Sequence, residues 1–208
     1  MGRGEGRFQG ARKRAGSQTL RSGRKREKHT MQARAPLMIE HRLIERMLTV
    51  VGHALTLAEQ TGSINPLFVD LAVDFITTYA DRTHHGKEED ILFKTLESKN
   101  LTKADRQAMN ELIEDHIFGR KTTRALVDAN ALYRKGEKAA LVLITTNLRT
   151  LAEFYPKHIE KEDKVFFPAS RIYLSDEEDQ RMLVEFMEFD RKMIHEKYES
   201  IIKSLETK

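Results

Sequence analysis

The sequence predicts an all-α protein, an antiparallel up-down-up-down four-helix bundle with an extra C-terminal helix. Three observations predict it. Apolar residues recur at helical spacing along five segments. Capping residues and breakers bracket those segments. No stretch sustains the period-two alternation of a half-buried strand.

The first segment follows Pro36 and runs to about Glu59, with a stripe of Leu37, Ile44, Leu48, Val51 and Leu55. Thr61-Gly62-Ser63 ends it. The second opens after Asn65-Pro66, a favourable cap and first-turn pair. It carries Val69, Val73, Ile76, Ala80, Ile91 and Leu92 to about Ser98. The third starts at Thr102, with Asp105 in a capping-box position, and ends near Gly136. The fourth spans about Glu137 to Phe167, with Pro156 expected to kink it and Pro168 to stop it. The fifth opens at Ser175, with Glu178 placed for a capping box. It continues to the C-terminus through Leu183, Phe186, Met187, Phe189, Ile194, Tyr198, Ile201 and Leu205. Four long helices with short links suggest the antiparallel bundle, and the fifth should pack on its outside.

Charge divides the chain of 208 residues unevenly. Residues 1–30 hold ten Lys or Arg against Glu5 and Glu27, net +8, so the remainder carries −4 within a total of +4. Residues 1–35 are therefore expected to be a basic, disordered tail, because they have too little apolar surface to offset ordering entropy. Residues 36–206 form the expected single domain. Two readings of the tail stand. It is a nucleic-acid-contacting arm, or translation begins at Met31 or Met38. The second is favoured because aromatic residues do not interleave with the charge.

No apolar run is long enough to span a membrane, and no apolar segment follows the basic residues as a secretory signal requires. With no cysteine, disulfides, zinc–thiolate sites, iron–sulfur clusters and thiol catalysis are excluded. These features fit a cytoplasmic protein whose metals, if any, are held by His, Asp, Glu or Tyr.

Five of the eight histidines have Glu four residues later: His41, His84, His85, His158 and His195. In a Glu-rich helical chain that pairing is common, and is usually a solvated charge contact. An internal repeat singles out two of them. His84-His85-Gly86-Lys87-Glu88-Glu89-Asp90-Ile91-Leu92-Phe93 aligns without gaps to His158-Ile159-Glu160-Lys161-Glu162-Asp163-Lys164-Val165-Phe166-Phe167. Upstream of each copy lies an acid–His doublet, Glu40-His41 and Asp115-His116, separated from it by 43 and 42 residues. Two similar hairpins would each give one His from the first helix and a His–Glu pair from the second. The faces agree, since each of these residues shares a stripe with apolar neighbours.

A Glu on an apolar stripe needs a partner, because burying a bare carboxylate is costly. His41, His84, Glu88, His116, His158 and Glu162 are therefore the candidate metal ligands. Two divalent ions would more than offset the two carboxylates, with oxo, hydroxo or water ligands taking the remaining charge. An imidazole–carboxylate set without thiolate suits iron or manganese, and zinc also fits. His53, about 120° from His41 on the first helix, His195 on the fifth and His29 in the tail are read as non-ligands. Tyr79, Tyr155 and Phe154 are read as core packing, with Tyr155 close enough to His158 to hydrogen-bond it.

From about Leu37 to Leu205 the chain resembles the bacterial and archaeal hemerythrin-like, HHE cation-binding proteins. The marks are Glu40-His41, His84-x-x-x-Glu88-Glu89, Asp115-His116 and His158-Ile159-x-x-Glu162-Asp163-x-x-Phe166-x-Pro168. The resemblance implies a hemerythrin-like four-helix bundle with a non-haem di-iron centre. It would have Glu88 and Glu162 as bridging carboxylates and His41, His84, His116 and His158 as terminal ligands. The ligand acted on would be dioxygen, peroxide or nitric oxide, sensed, bound or reacted with, or the role would be iron handling. One departure stands out. Oxygen-carrying hemerythrins place two His four apart on the third helix, and here the second position is Arg120, which cannot bind a metal. His85, Glu89 or water would fill the gap, and Asp163 would replace or assist Glu162.

Two other classes compete. Ferritin-like oxidases use Glu-x-x-His, and no His here has Glu three positions before it. A helical interaction module, metal-free or zinc-bound, with a nucleic-acid-contacting basic N-terminal arm is the remaining alternative.

Overall fold

The computed structural model describes Met1 and residues 32–206, with side chains as far as Lys197. The expectations for residues 2–31 of the basic tail, and for Tyr198, Ile201 and Leu205 on the last helix, lie outside the described residues or side chains, whereas Arg34 and Ala35, expected in the tail, are helical. The described residues from 32 onward are helical and contain no strand.

Helix α1, Arg34–Thr61, buries Leu37, His41, Ile44, Leu48, Val51, Leu55 and Ala58 on one face. It starts two residues before Pro36, which falls in its first turn, where a missing N–H costs nothing. It ends at Gly62, whose φ of 65° is left-handed and whose N–H reaches the Ala58 carbonyl at 2.9 Å.

Helix α2 spans residues 66–97. Asn65 caps it by accepting the Leu67 N–H at 3.0 Å, with Pro66 in the first turn. Beyond Pro66–Asp74 the backbone widens into π-helical turns over Phe75–His85 and again over Glu88–Phe93, before Lys94–Glu97. Helix α3, Lys103–Arg134, is capped by the Thr102 hydroxyl, which accepts the Asp105 N–H at 3.1 Å. Helix α4 spans residues 140–170, as Ala140–Lys161, a π-helical stretch at Glu162–Phe166, and Phe167–Ser170. A short turn, Arg171–Tyr173, leads to α5, Asp176–Glu206. The capping box forms there: Ser175 Oγ accepts the Glu178 N–H at 3.2 Å, and Glu178 accepts the Ser175 N–H at 2.9 Å.

Helix α3 packs along α4 and also on α2, α1 packs on α4, and α5 lies against the middle of α2. Two apolar clusters result. One gathers Ile44, Leu48, Val69, Ile76, Leu126, Ile144 and Leu148, with Tyr155. The other gathers Leu37, Leu92, Phe93, Leu112, Phe166 and Phe167, with Met182 and Phe186 from α5. Each cluster draws on α1, α2, α3 and α4, and the predicted ligands occupy positions between them along each helix.

Leu148 and Leu112 are fully buried, one in each cluster. Replacing either by Ala should lower unfolding free energy by about 2–5 kcal/mol through lost transfer and a residual cavity. Thr102→Ala should cost about 1 kcal/mol through loss of the cap. Urea denaturation of the three variants checks both, and a cost at Thr102 as large as at the leucines would contradict this account.

Candidate metal centre

All six residues singled out by the repeat are buried, none more than 2% exposed. They come from four helices: His41 from α1, His84 and Glu88 from α2, His116 from α3, His158 and Glu162 from α4. The donor atoms fall into two neighbouring groups. His41, His84, Glu88 and Glu162 form one, and His116, His158 and a further residue, His85, form the other, with donors in each within 4.8 Å of one another.

The carboxylates reach into both groups. Glu88 presents Oε1 to His84 Nε2 at 3.7 Å and Oε2 to His116 Nε2 at 3.4 Å. Glu162 presents Oε2 to His41 Nε2 at 3.1 Å and Oε1 to His158 Nε2 at 3.2 Å. The His41 and His84 Nε2 atoms lie 2.8 Å apart.

The opposite ring nitrogens are held by an outer set of carboxylates, arranged with the pseudo-symmetry of the repeat. Within each hairpin, the acid of the acid–His doublet accepts from the His of the partner helix. Glu40 accepts from His84 Nδ1 at 2.9 Å, and Asp115 from His158 Nδ1 at 3.3 Å. Between hairpins, the acid following each central Glu accepts from the doublet His. Asp163 accepts from His41 Nδ1 at 2.8 Å, and Glu89 from His116 Nδ1 at 2.6 Å. With Nδ1 engaged, each Nε2 is the nitrogen directed inward. The repeat lysines complete the pattern, Lys87 on Glu40 and Lys161 on Asp115. Arginines back the other pair, Arg42 on Asp163 and Arg120 on Glu89.

This geometry sorts the alternatives left open by the sequence. Asp163 and Glu89 face ring nitrogens directed away from the centre, so their places are behind the imidazoles. The residue in the inner ring is His85. The sequence offered it only as one way to fill the gap left by Arg120, since on a regular α-helix it diverges from His84 by about 100°. The π-helical turns, with bonds spanning one residue more, put both on the inner side. Thr83 Oγ1 bonding the Thr78 carbonyl five residues back, at 2.8 Å, marks the wider turn. His85 stacks on His116 with ring centroids 3.8 Å apart. The second and third π-helical stretches begin at Glu88 and Glu162, the same position of the repeat.

Arg120 does not enter the centre. Its guanidinium binds Asp81 and Glu89, each at 2.7 Å, on the rim of a cavity of about 230 Å³ lined also by His85 and Tyr155. Tyr155 packs edge-on to His158 at 6.5 Å between centroids, and it is Asp115 that takes the His158 Nδ1. His53 and His195 are exposed, and His29 lies outside the described residues.

Burial and surrounding charge set the protonation. Burial and the facing Glu162 carboxylate push Glu88 well above the usual carboxylate range. Glu162 is held well below it despite a burial that alone would raise it, because the His158, His116 and His41 imidazoles surround it. Burial would lower His41 too, but Asp163 and Glu162 raise it to about 9. Burial dominates at His84, lowered to about 4, and at His85, which neighbouring imidazoles lower further. Neutral imidazole is the form that binds a metal.

Among the described residues, ten buried side-chain polar atoms lack a hydrogen-bond partner, and eight belong to this cluster: both nitrogens of His85, all four oxygens of Glu88 and Glu162, and Nε2 of His116 and His158. Buried polar atoms are nearly always satisfied. Their concentration at one point, with only nitrogen and oxygen donors, fits cations bound among them.

A helical protein with inward-facing imidazoles around two buried carboxylates belongs to the class of bundle metal proteins. Residues 34–170 match the family described as Hemerythrin HHE cation binding domain, and the chain belongs to that family. No curated protein and no solved structure matches it.

His85→Ala removes a donor from the three-histidine group, whereas Glu89→Gln leaves all seven inner donors in place. The first should cost about one metal per chain, and the second should weaken affinity by about tenfold through misorientation of His116. Metal analysis after dialysis against a weak chelator distinguishes them. Equal retention by His85→Ala and the unaltered protein would exclude His85 from the inner ring.

Proposed function

We propose that the chain binds two non-haem iron ions, with Glu88 and Glu162 bridging them. His41 and His84 complete one position, and His85, His116 and His158 the other. The observation that carries this reading is the pair of buried carboxylates, each with one oxygen toward each group of imidazoles. Manganese and zinc satisfy the same donors, but the imidazole-rich set without thiolate suits iron well. In this reading α1–α4 form the up-down-up-down bundle typical of the family, within a domain that takes in α1 from Arg34, and the basic residues before it are an appended tail. Support for the topology comes from the two apolar clusters, each assembled from opposite ends of successive helices.

Iron bound here supplies a redox-active Lewis-acid centre for dioxygen, peroxide or nitric oxide. The two positions differ in imidazole count, two against three, so the His41/His84 position has more room for an external ligand. The chain's own part is to hold each ring at a fixed angle through Glu40, Asp115, Asp163 and Glu89. The apolar clusters on both sides keep bulk water from the centre. The ion pairs from Arg120 cover the cavity next to His85. Binding, sensing or reaction with a small oxidant follows from such a site more readily than action on a bulky substrate, because the donors are buried.

Anaerobically purified protein should contain about two metals per chain, as in other bundle dimetal sites. The double variant His84→Ala, His158→Ala should lose them while remaining helical by circular dichroism. An absorption band that develops on exposure to air identifies iron over zinc. Retention of metal by the double variant would overturn the ligand assignment.

A further inference from the structure

Helix α5 lies beyond the residues that match the family, yet it reaches Lys87, the partner of the outer carboxylate Glu40. Lys87 of α2 is completely buried, an unusual place for an ammonium. Its Nζ pairs with Glu40 of α1 and, at 2.6 Å, with Asp190 of α5, and sits 5.9 Å from the centre of the Phe186 ring of α5. Glu40 in turn accepts from His84 Nδ1 at 2.9 Å. An unbroken polar chain thus runs from α5 to one imidazole: Asp190, Lys87, Glu40, His84.

The other half of the repeat has no such extension. Lys161, the counterpart of Lys87, is 34% exposed and, among the described residues, pairs with Asp115 alone. Water compensates that ammonium, whereas α5 shuts water away from Lys87 and supplies Asp190 instead. Contact at this point is tight. A Cβ on Gly86, which follows His84-His85, would lie 2.7 Å from Phe189 of α5. A side chain there would force the Phe189 ring off its place against α2.

We propose that Asp190 is a positioning residue for the His41/His84 half of the centre, acting through Lys87 and Glu40 on His84. Docking of α5 and occupation of that half by a cation therefore strengthen one another. The inference rests on the metal-binding reading above. Asp190 divides the Lys87 ammonium between two carboxylates, leaving Glu40 a stronger acceptor for His84. A cation on His84 Nε2 makes Nδ1–H a stronger donor and tightens the same chain toward α5. Linkage requires the effect to be reciprocal.

Hydrogen exchange over residues 183–197, measured on the full chain metal-free and loaded with Zn(II), tests this, with bound zinc counted in the same samples. In the unaltered protein, loading should slow exchange in this segment at least about fivefold. Asp190→Asn should abolish that slowing and weaken one of the two zinc ions about fivefold while sparing the other, and Asp190→Glu should restore both. Glu196→Gln breaks the exposed ion pair of α5 with Arg82, and should loosen α5 equally with and without zinc. If Asp190→Asn does not fold, Gly86→Ala serves instead, and should uncouple α5 in the same way. Binding of about two zinc ions with exchange over residues 183–197 indifferent to them overturns this inference alone. Failure to bind zinc overturns the metal-binding reading, and the inference with it.

Discussion

Two carboxylates placed at the centre of a helical core are the constraint to which the rest of the molecule answers. An ionised carboxylate without partners costs several kcal/mol when buried. Glu88 and Glu162 are both fully buried and face each other. Imidazoles on every side relieve this in part, since they keep Glu162 ionised while burial and repulsion keep Glu88 protonated more readily. Full relief requires cations, and the surrounding architecture holds donors ready for them.

The outer carboxylates explain why the repeat is longer than its ligands. A His and a Glu four apart would suffice to place two donors on one helix. The Lys three residues after each His, the acid after each central Glu and the acid before each doublet His have separate tasks. They fix the ring nitrogens and neutralise one another's charge. The two hairpins thereby cross-link: each orients its own second-helix His and the partner hairpin's first-helix His. One hairpin alone would leave its first-helix imidazole without an outer acceptor.

Symmetry is broken in two places. His85 stands where the second copy has Ile159, which enriches one group of donors in imidazole, while Arg120 on the third helix turns outward to Asp81 and Glu89. Helix α5 covers Lys87 but leaves Lys161 in contact with water. A duplicated scaffold thus presents two unequal groups of donors, one with two imidazoles and one with three.

Much was legible in sequence because it depends on local physics. Helix spacing, the Asn65 and Thr102 caps, the Ser175–Glu178 box and the Gly62 stop are matters of a few neighbouring residues, and the structure has each of them. The six repeat-derived donors stood out because duplication at matched separations is visible without coordinates. The sequence by itself determined a helical fold, an internal repeat and which residue types meet. Only the tertiary structure decided that His85 joins the inner ring, that Asp163 and Glu89 stand behind it, and that α5 closes over Lys87. The reason is physical: a widened helical turn changes which neighbours share a face, and a carboxylate's role depends on which ring nitrogen it meets across the bundle. Neither is encoded in spacing along one helix.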